Sequence, residues 1–266
     1  MVELIDSISA SAAAIYRSNV SVTRRLSVWS FCCWALLAGA ASGDCPAPPE
    51  SAALQRVERV IDGDTLVLVG GDRVRILGIN TFEPRDPGLA GMYSKKATAA
   101  VRTWLAHSPS VAVSPVPYRR DRHGRVLAHL WIDGQHLGES LLREGLGLAV
   151  AIPPLVDHAP CLFAAEQSAR NASRGIWSSS FVPIAASDVT TGGFQVVRGQ
   201  ITAVRQRTVW LGAQFAVTLP RGLTVERGQE IEVRGWVRSP KASDQPPIFR
   251  LPLEHPANLT VRLLPN

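Results

Sequence analysis

The stretch from Val60 to Glu83 constrains the fold of this chain more than any other part of it. Two apolar runs rich in β-branched residues flank Gly70-Gly71-Asp72, which is typical of a tight turn between antiparallel strands. A hairpin brings its two ends together. We therefore expect the polar residues before the first run to lie beside those that follow the second.

The residues that this hairpin brings together are oxygen donors and one guanidinium. They are Asp62, Asp64, Arg75, Asn80, Thr81 and Glu83. Hard cations such as calcium bind carboxylate and carbonyl oxygens, and a guanidinium binds phosphate through paired hydrogen bonds. The pattern therefore predicts a site for a cation and a phosphate group.

Two separated motifs resemble those of the thermonuclease family, whose best-known member is staphylococcal nuclease. The first comprises Asp62-Gly63-Asp64-Thr65, Arg75 and Asn80-Thr81-Phe82-Glu83, and the second is Asp121-Arg122-His123-Gly124-Arg125. The resemblance covers about residues 56–178. It implies an α+β fold, mainly β, in which a five-stranded OB barrel carries three helices. The order of predicted elements, strands followed by a helix, strands and two helices, agrees with this fold.

The resemblance also implies a reaction and its residues. The family uses Ca²⁺ to hydrolyse the 5′-oxygen–phosphorus bond of DNA and RNA, leaving 3′-phosphates. By resemblance, Asp64, Asn80 and the Thr81 carbonyl hold the ion, and Glu83 activates water. Arg75 and Arg125 neutralise the charge that develops on the phosphate. Asp62 is either a residue of an Asp-Gly turn or a support behind the metal ligands.

Three departures from the family pattern bear on activity. Asn80 replaces an aspartate, so calcium should bind more weakly, and Phe82 replaces the proline before Glu83. Ala149-Val150-Ala151-Ile152-Pro153 replaces tyrosines that stack on the nucleotide. An active nuclease, a nucleic-acid- or protein-binding module that lost turnover, and a structural envelope protein are the alternatives. The retention of Arg75, Glu83 and Arg125 together favours the nuclease.

Composition and the N-terminus indicate a basic, exported globular protein that we expect to be a monomer. Hydrophobic residues make up 46% of the chain and charged residues 19%, which excludes a disordered polypeptide. The net charge of +6 favours a polyanionic partner. An apolar run, Leu26 to Ala41, follows Arg24-Arg25, so residues 1–42 read as a signal peptide or, if uncleaved, a membrane anchor. The expected location is periplasmic or secreted.

Two cysteines remain beyond this leader, Cys45 and Cys161. In an oxidising compartment an even pair predicts a disulfide, and the alternative is two free thiols.

The expected domain order places a linker at 43–55 before a nuclease-like domain at 56–180. A second linker at 181–193 leads to a small β domain at 194–266. About five short strands there predict a second OB-like barrel. Its arginines either bind a phosphate backbone or lie on solvated strand faces; they are Arg205, Arg207, Arg221, Arg227, Arg234 and Arg238.

Overall fold

The protein is described here by a computed structural model, which covers residues 44–86, 88–179, 182–244 and 246–262. The predicted leader at 1–42 lies outside the described residues. Both β domains belong to one compact unit. No helix in the described part of the chain has the length and apolarity needed to cross a membrane.

The first domain is a closed five-stranded barrel, as predicted. Its strands are β1 (Ala53–Asp62), β2 (Thr65–Leu68), β3 (Arg73–Ile76), β5 (Ser110–Arg120) and β6 (Val126–Ile132), with β4 (Ile79–Asn80) between β3 and β5. They pair in the order β1–β2–β3–β6–β5–β1, and only the β3–β6 pair is parallel among these. The β2–β3 turn places Gly70 at φ 109° and Gly71 at φ 91°, which glycine adopts without strain.

Helices and short strands complete this domain. They are α1 (Gly88–His107), β7 (Gln135–His136), α2 (Leu137–Arg143), β8 (Leu148–Ala149) and α3 (Ala159–Asn171). In α1, Ala97, Val101 and Leu105 recur at helical spacing and are buried in the barrel core.

Two elements are longer than the sequence pattern predicts. Apolar residues at helical spacing predict a helix from Tyr93 to His107, whereas α1 begins at Gly88. Its first turn contains Gly91, where an added Cβ would lie 2.1 Å from the Asp86 carbonyl oxygen, so glycine serves close packing there. The apolar run Val111-Ala112-Val113 predicts a short strand, whereas β5 extends as far as Arg120 and contains two prolines. Its pairing with β6 is irregular between Pro115 and Arg120, where the missing N–H groups are tolerated.

The second domain repeats the strand order of the first. Its strands are β10 (Gly193–Arg205), β11 (Thr208–Leu211), β12 (Phe215–Thr218), β13 (Glu230–Val237), β14 (Phe249–Pro252) and β15 (Leu259–Arg262). They pair as β10–β11–β12–β14–β13–β10, with β12 and β14 parallel and β15 beside β13. A bridge between Arg238 and Arg250 joins β13 to β14. This order matches the first barrel strand for strand, so the predicted OB-like second barrel is confirmed.

The segment expected to link the two barrels contributes to the second one. Ile184–Ala185 forms β9, which pairs in parallel with β10. Ala186 and Val189 are buried in the second core.

The two barrels meet through a buried network of charged side chains. Glu166 and Arg170 extend from α3, and Glu232 and Arg234 extend from β13. Arg234 Nη1 lies 2.7 Å from Glu166 Oε2, and Arg170 Nη2 lies 2.6 Å from Glu232 Oε1. Arg234 is therefore neither a solvated strand arginine nor a phosphate ligand, because only 5% of its side chain is exposed.

The network predicts a stability effect. Arg234→Ala would leave the buried carboxylates of Glu166 and Glu232 without this partner. We expect it to lower the free energy of unfolding by about 3–5 kcal/mol. The matched control is Arg198→Ala, which removes a more exposed pair with Glu230 at 3.7 Å and should change stability by less than about 1 kcal/mol. Urea denaturation followed by circular dichroism measures both variants, and equal losses would contradict a buried network.

Candidate active site

The carboxylate of Asp64 is the centre of the predicted site. Asp64 lies in the turn between β1 and β2 and is 5% exposed. Its Oδ2 accepts hydrogen bonds from the Thr81 amide at 2.7 Å and the Thr81 hydroxyl at 3.0 Å. Its Oδ1 accepts from the Thr65 hydroxyl and lies 3.1 Å from Arg75 Nε. One side chain thus connects β2, β3 and the segment after β4.

Arg75 extends from β3 across the same cluster. Besides the contact with Asp64, its Nη2 donates to Asn80 Oδ1 at 3.0 Å and its Nη1 to the carbonyl of Ile76 at 2.5 Å. The side chain is 11% exposed. The guanidinium is thus held in one orientation by acceptors on both sides.

Asn80 and Thr81 are placed by the pairing of β4 with β8, in which Asn80 lies opposite Leu148. Asn80 Nδ2 donates to the Thr81 carbonyl at 3.1 Å. Two of the three groups predicted to bind the cation, the Asn80 side chain and the Thr81 carbonyl, are therefore in direct contact. The Asn80 oxygen also accepts a hydrogen bond from Arg75.

Arg125 approaches the cluster from the turn before β6. Asp121 Oδ1 accepts from the backbone amides of His123 and Arg125, which fixes the turn. Asp121 Oδ2 accepts from Arg125 Nε at 2.8 Å, and Arg125 Nη1 lies 3.4 Å from the Thr65 hydroxyl. Among the described residues, no acceptor contacts Arg125 Nη2. One face of this guanidinium is thus available to a ligand.

Glu83 lies on the exposed rim of the site. Its backbone amide donates to Asp86 Oδ2 at 2.8 Å, which closes the loop that carries it. Partial burial and the charges of Asp64 and Asp86 raise the pKa of Glu83, while Arg75 and Arg125 oppose the shift. Glu83 therefore shares one electrostatic environment with both arginines.

Asp62 lies behind this cluster rather than on its surface. It is 9% exposed, and its Oδ1 accepts from the Asp64 amide at 3.1 Å. Burial and the charge of Asp64 raise the pKa of Asp62 to about 6. The hydrogen bond to the Asp64 amide shows that Asp62 shapes the turn. The effect of Asp64 on its pKa shows that Asp62 also adds negative charge beside Asp64.

The donor set fits a hard cation. Asp64, Asn80 and Thr81 supply carboxylate, amide and carbonyl oxygens, which are the ligands that calcium prefers. Burial and, after it, neighbouring carboxylates raise the pKa values of Asp62 and Glu83, and a cation would relieve the part of the shift that comes from charge repulsion.

Sequence reasoning assigned no role to three residues that the structure places in the site. Thr65 connects Asp64 to Arg125, Asp121 orients Arg125, and Gly63 allows close packing under the turn. All three residues belong to the two sequence motifs, so the motifs could have identified them as site residues. The segment 149–151, where the family's aromatic residues are missing, is buried and apolar.

The fold and the site define an OB-barrel domain of the thermonuclease type. The staphylococcal nuclease homologue family matches residues 73–179. The thermonuclease of Staphylococcus intermedius is 31% identical over 125 residues, which are 46% of this chain and 74% of that protein. The chain therefore belongs to the staphylococcal nuclease homologue family.

Two Bacillus subtilis proteins are similar over part of their length. The SPbeta prophage-derived endonuclease YokF is 31% identical over 170 residues, 62% of this chain and 55% of that protein. Endonuclease YncB is 32% identical over 129 residues, 47% of this chain and 61% of that protein. The chain thus spans little more than half the length of these two relatives.

Gly63 offers a test of the packing beneath the site. A Cβ at this position would lie 2.6 Å from the Ala97 Cβ and 2.8 Å from the Thr81 Cγ2. We expect Gly63→Ala to lower the free energy of unfolding by about 1–3 kcal/mol, since overpacking displaces neighbours. Urea denaturation measures the change.

The matched control for this prediction is the double variant Gly63→Ala/Ala97→Gly, compared with Ala97→Gly alone. Removing the Ala97 methyl relieves the shorter contact, so adding Gly63→Ala should destabilise the Ala97→Gly background less than the wild type. An equal loss in both backgrounds would show that this contact is unimportant.

Proposed function

We propose that the protein is a calcium-dependent nuclease that hydrolyses phosphodiester bonds of DNA and RNA. The observation that carries the proposal is the convergence of Arg75, Glu83 and Arg125 on the Asp64 cluster. Two cationic groups beside a cation site can stabilise the charge that develops on a phosphodiester, and a carboxylate can activate the attacking water. Relatives named thermonuclease and endonuclease support the same activity.

Asp64, Asn80 and the Thr81 carbonyl would hold the calcium ion, with Asp62 adding charge behind them. When bound, such an ion withdraws electron density from a phosphate oxygen. Because Asn80 is neutral, the ligand set carries one negative charge fewer than a set with two aspartates would. We therefore expect oxygens of the substrate phosphate to complete the site.

The two arginines would bind the phosphate and stabilise its developing charge. Arg125 presents an unoccupied edge, because Asp121 contacts its Nε and Thr65 its Nη1. Arg75 is held by Asp64 and Asn80, which orients it without the substrate. Preorganised cations of this kind need little rearrangement when charge builds up.

Glu83 would orient the attacking water and accept its proton. The water oxygen forms a bond to phosphorus as the bond from phosphorus to the 5′-oxygen breaks. The 5′-oxygen leaves with the electron pair and is protonated, so the other product ends in a 3′-phosphate. The exposed position of Glu83 allows water and substrate to reach it.

A second candidate function is a nucleic-acid-binding module without turnover. One observation favours it: the Asn80 side-chain oxygen accepts a hydrogen bond from Arg75. Because Asn80 is also neutral, it would attract a cation less than an aspartate does. Such a module would bind DNA or RNA but would leave the strand intact with calcium present.

We also propose that the protein works as an exported monomer, or as one held at a membrane by residues 1–42. The support is the disulfide between Cys45 and Cys161, with Cα atoms 5.0 Å apart, which confirms the predicted pairing. Disulfides persist in oxidising compartments such as the periplasm or the cell exterior.

Substitutions in the site test the proposed reaction. We expect Glu83→Gln and Arg125→Ala each to lower turnover of single-stranded DNA by at least about a hundredfold, because each removes a group that acts in the transition state. The matched control is Arg122→Ala in the same turn, whose guanidinium contacts His123 rather than the cluster. It should stay within a few-fold of the wild type.

Initial cleavage rates are measured at saturating calcium. Circular dichroism checks that each variant is folded. If Glu83→Gln or Arg125→Ala retains activity close to that of Arg122→Ala, these catalytic roles are wrong. If the folded wild type binds the DNA without cleaving it, the binding module is the better account.

A further inference from the structure

Three histidines form a second cluster of metal-ligating side chains, separate from the acidic site. His129 lies on β6, His136 directly precedes α2, and His158 directly precedes α3. One ring nitrogen of each lies within 4.8 Å of a ring nitrogen of the other two. Three chain segments thus bring their imidazoles to one place inside the first domain.

Hydrogen bonds determine where the protons of two of these rings lie. His136 Nδ1 accepts from the Glu139 amide at 3.1 Å, so the ring carries its proton on Nε2. His136 Nε2 then donates to His129 Nδ1 at 3.0 Å. Each of these two rings thus accepts a hydrogen bond on one nitrogen, so both are neutral, which is the form that binds metals.

His158 is the least constrained member of the cluster. Its ring lies against that of His129, with centroids 3.9 Å apart and the ring planes tilted by 30°. Its Nδ1 is buried and has no hydrogen-bond partner among the described residues. A buried polar atom without a partner is rare, and an ion or water is a common reason for one. The ring as a whole is half-buried, which gives an ion a route to the cluster.

We propose that His129, His136 and His158 bind a divalent transition-metal ion of the zinc type, with a fourth position open to water. Imidazole nitrogen suits zinc, copper, nickel and iron, whereas calcium prefers oxygen, so this site and the acidic site select different ions. Zinc–nitrogen bonds of about 2.0–2.1 Å at tetrahedral angles place ligand nitrogens about 3.4 Å apart. The pair at 3.0 Å needs only a small separation to accommodate the ion.

Binding replaces the proton that His136 and His129 share. The ion takes the lone pair of His129 Nδ1 and that of His136 Nε2, and the displaced proton moves to His136 Nδ1. The hydrogen bond from the Glu139 amide to that nitrogen is then lost, and the two N–H groups must move apart because both are donors. A single helix-capping bond is weak compared with three metal–nitrogen bonds, so the exchange favours the ion.

The ion would join β6 to the first turns of α2 and α3. Helix α3 also carries Cys161 of the disulfide, and it carries Glu166 and Arg170 of the network that contacts the second barrel. The structure thus assigns the ion a stabilising role in the packing of α3, independent of nuclease activity.

Calorimetry on the metal-free full chain tests the proposal. Zn²⁺ is titrated in excess Ca²⁺, so that calcium competes for the oxygen ligands of the acidic site. We expect one zinc ion per chain and a higher melting temperature. His158→Ala should weaken zinc binding by at least about tenfold, since it removes a ligand. The matched control is His107→Ala, an exposed histidine whose Nδ1 lies 2.9 Å from the Thr103 carbonyl oxygen, and it should bind zinc as the wild type does.

A second measurement does not depend on the folding of a variant. Co²⁺ bound by nitrogen ligands in a four-coordinate site absorbs visible light strongly, so the wild type should give this spectrum when calcium is in excess. The proposal is overturned if the calcium-loaded wild type binds neither ion. It is equally overturned if folded His158→Ala binds zinc as tightly as the wild type, and the cluster is then a hydrogen-bonded core.

Discussion

The contacts of the Asp64 carboxylate hold the acidic site together. This one side chain receives hydrogen bonds from the amide and hydroxyl of Thr81 and from the hydroxyl of Thr65, and it pairs with Arg75. A buried carboxylate is stable only when its oxygens are satisfied in this way. Because the donors come from β2, β3 and the segment after β4, satisfying Asp64 also positions the groups of the proposed reaction.

A second network connects this site to the other barrel. Strand β4, which carries Asn80, pairs with β8, and the Ala149 amide of β8 donates to Glu166 Oε2 at 2.7 Å. The Ala149 carbonyl accepts from Arg234 Nη1 at 3.0 Å, and Arg234 extends from β13. The second barrel therefore supports the strand on which Asn80 depends. This gives the second domain a structural role even without nucleic-acid contacts of its own.

The sequence predicted those features that depend on local pattern. The apolar runs around Gly70-Gly71 predicted the hairpin, and the hairpin predicted that Asp64 and Arg75 would meet. The helical spacing of Ala97 and Val101 located α1, and the even pair of cysteines predicted the disulfide. Each of these signals lies within one segment or in a pair of residues with specific chemistry.

Features that depend on contacts between distant segments were not predictable. Arg234 alternates with apolar residues as a solvated strand arginine would, and its burial is explained by partners from distant segments, Glu166 on α3 and the Ala149 carbonyl. The histidine cluster was not predictable for the same reason. His129, His136 and His158 follow no recognisable spacing in the sequence and meet only in the folded chain. Strand β5 extends beyond its apolar run, Val111-Ala112-Val113, because an irregular pairing with β6 accommodates the prolines that follow.

The central claim is that the Asp64 cluster is a calcium-dependent catalytic site. The most direct measurement is digestion of single-stranded DNA by the wild-type chain in calcium, then in chelator, and again after calcium is restored. The account predicts cleavage that stops in chelator, returns with calcium and leaves 3′-phosphate ends. Cleavage that continues unchanged in chelator would contradict the cation's role, and a folded chain that never cleaves would contradict catalysis.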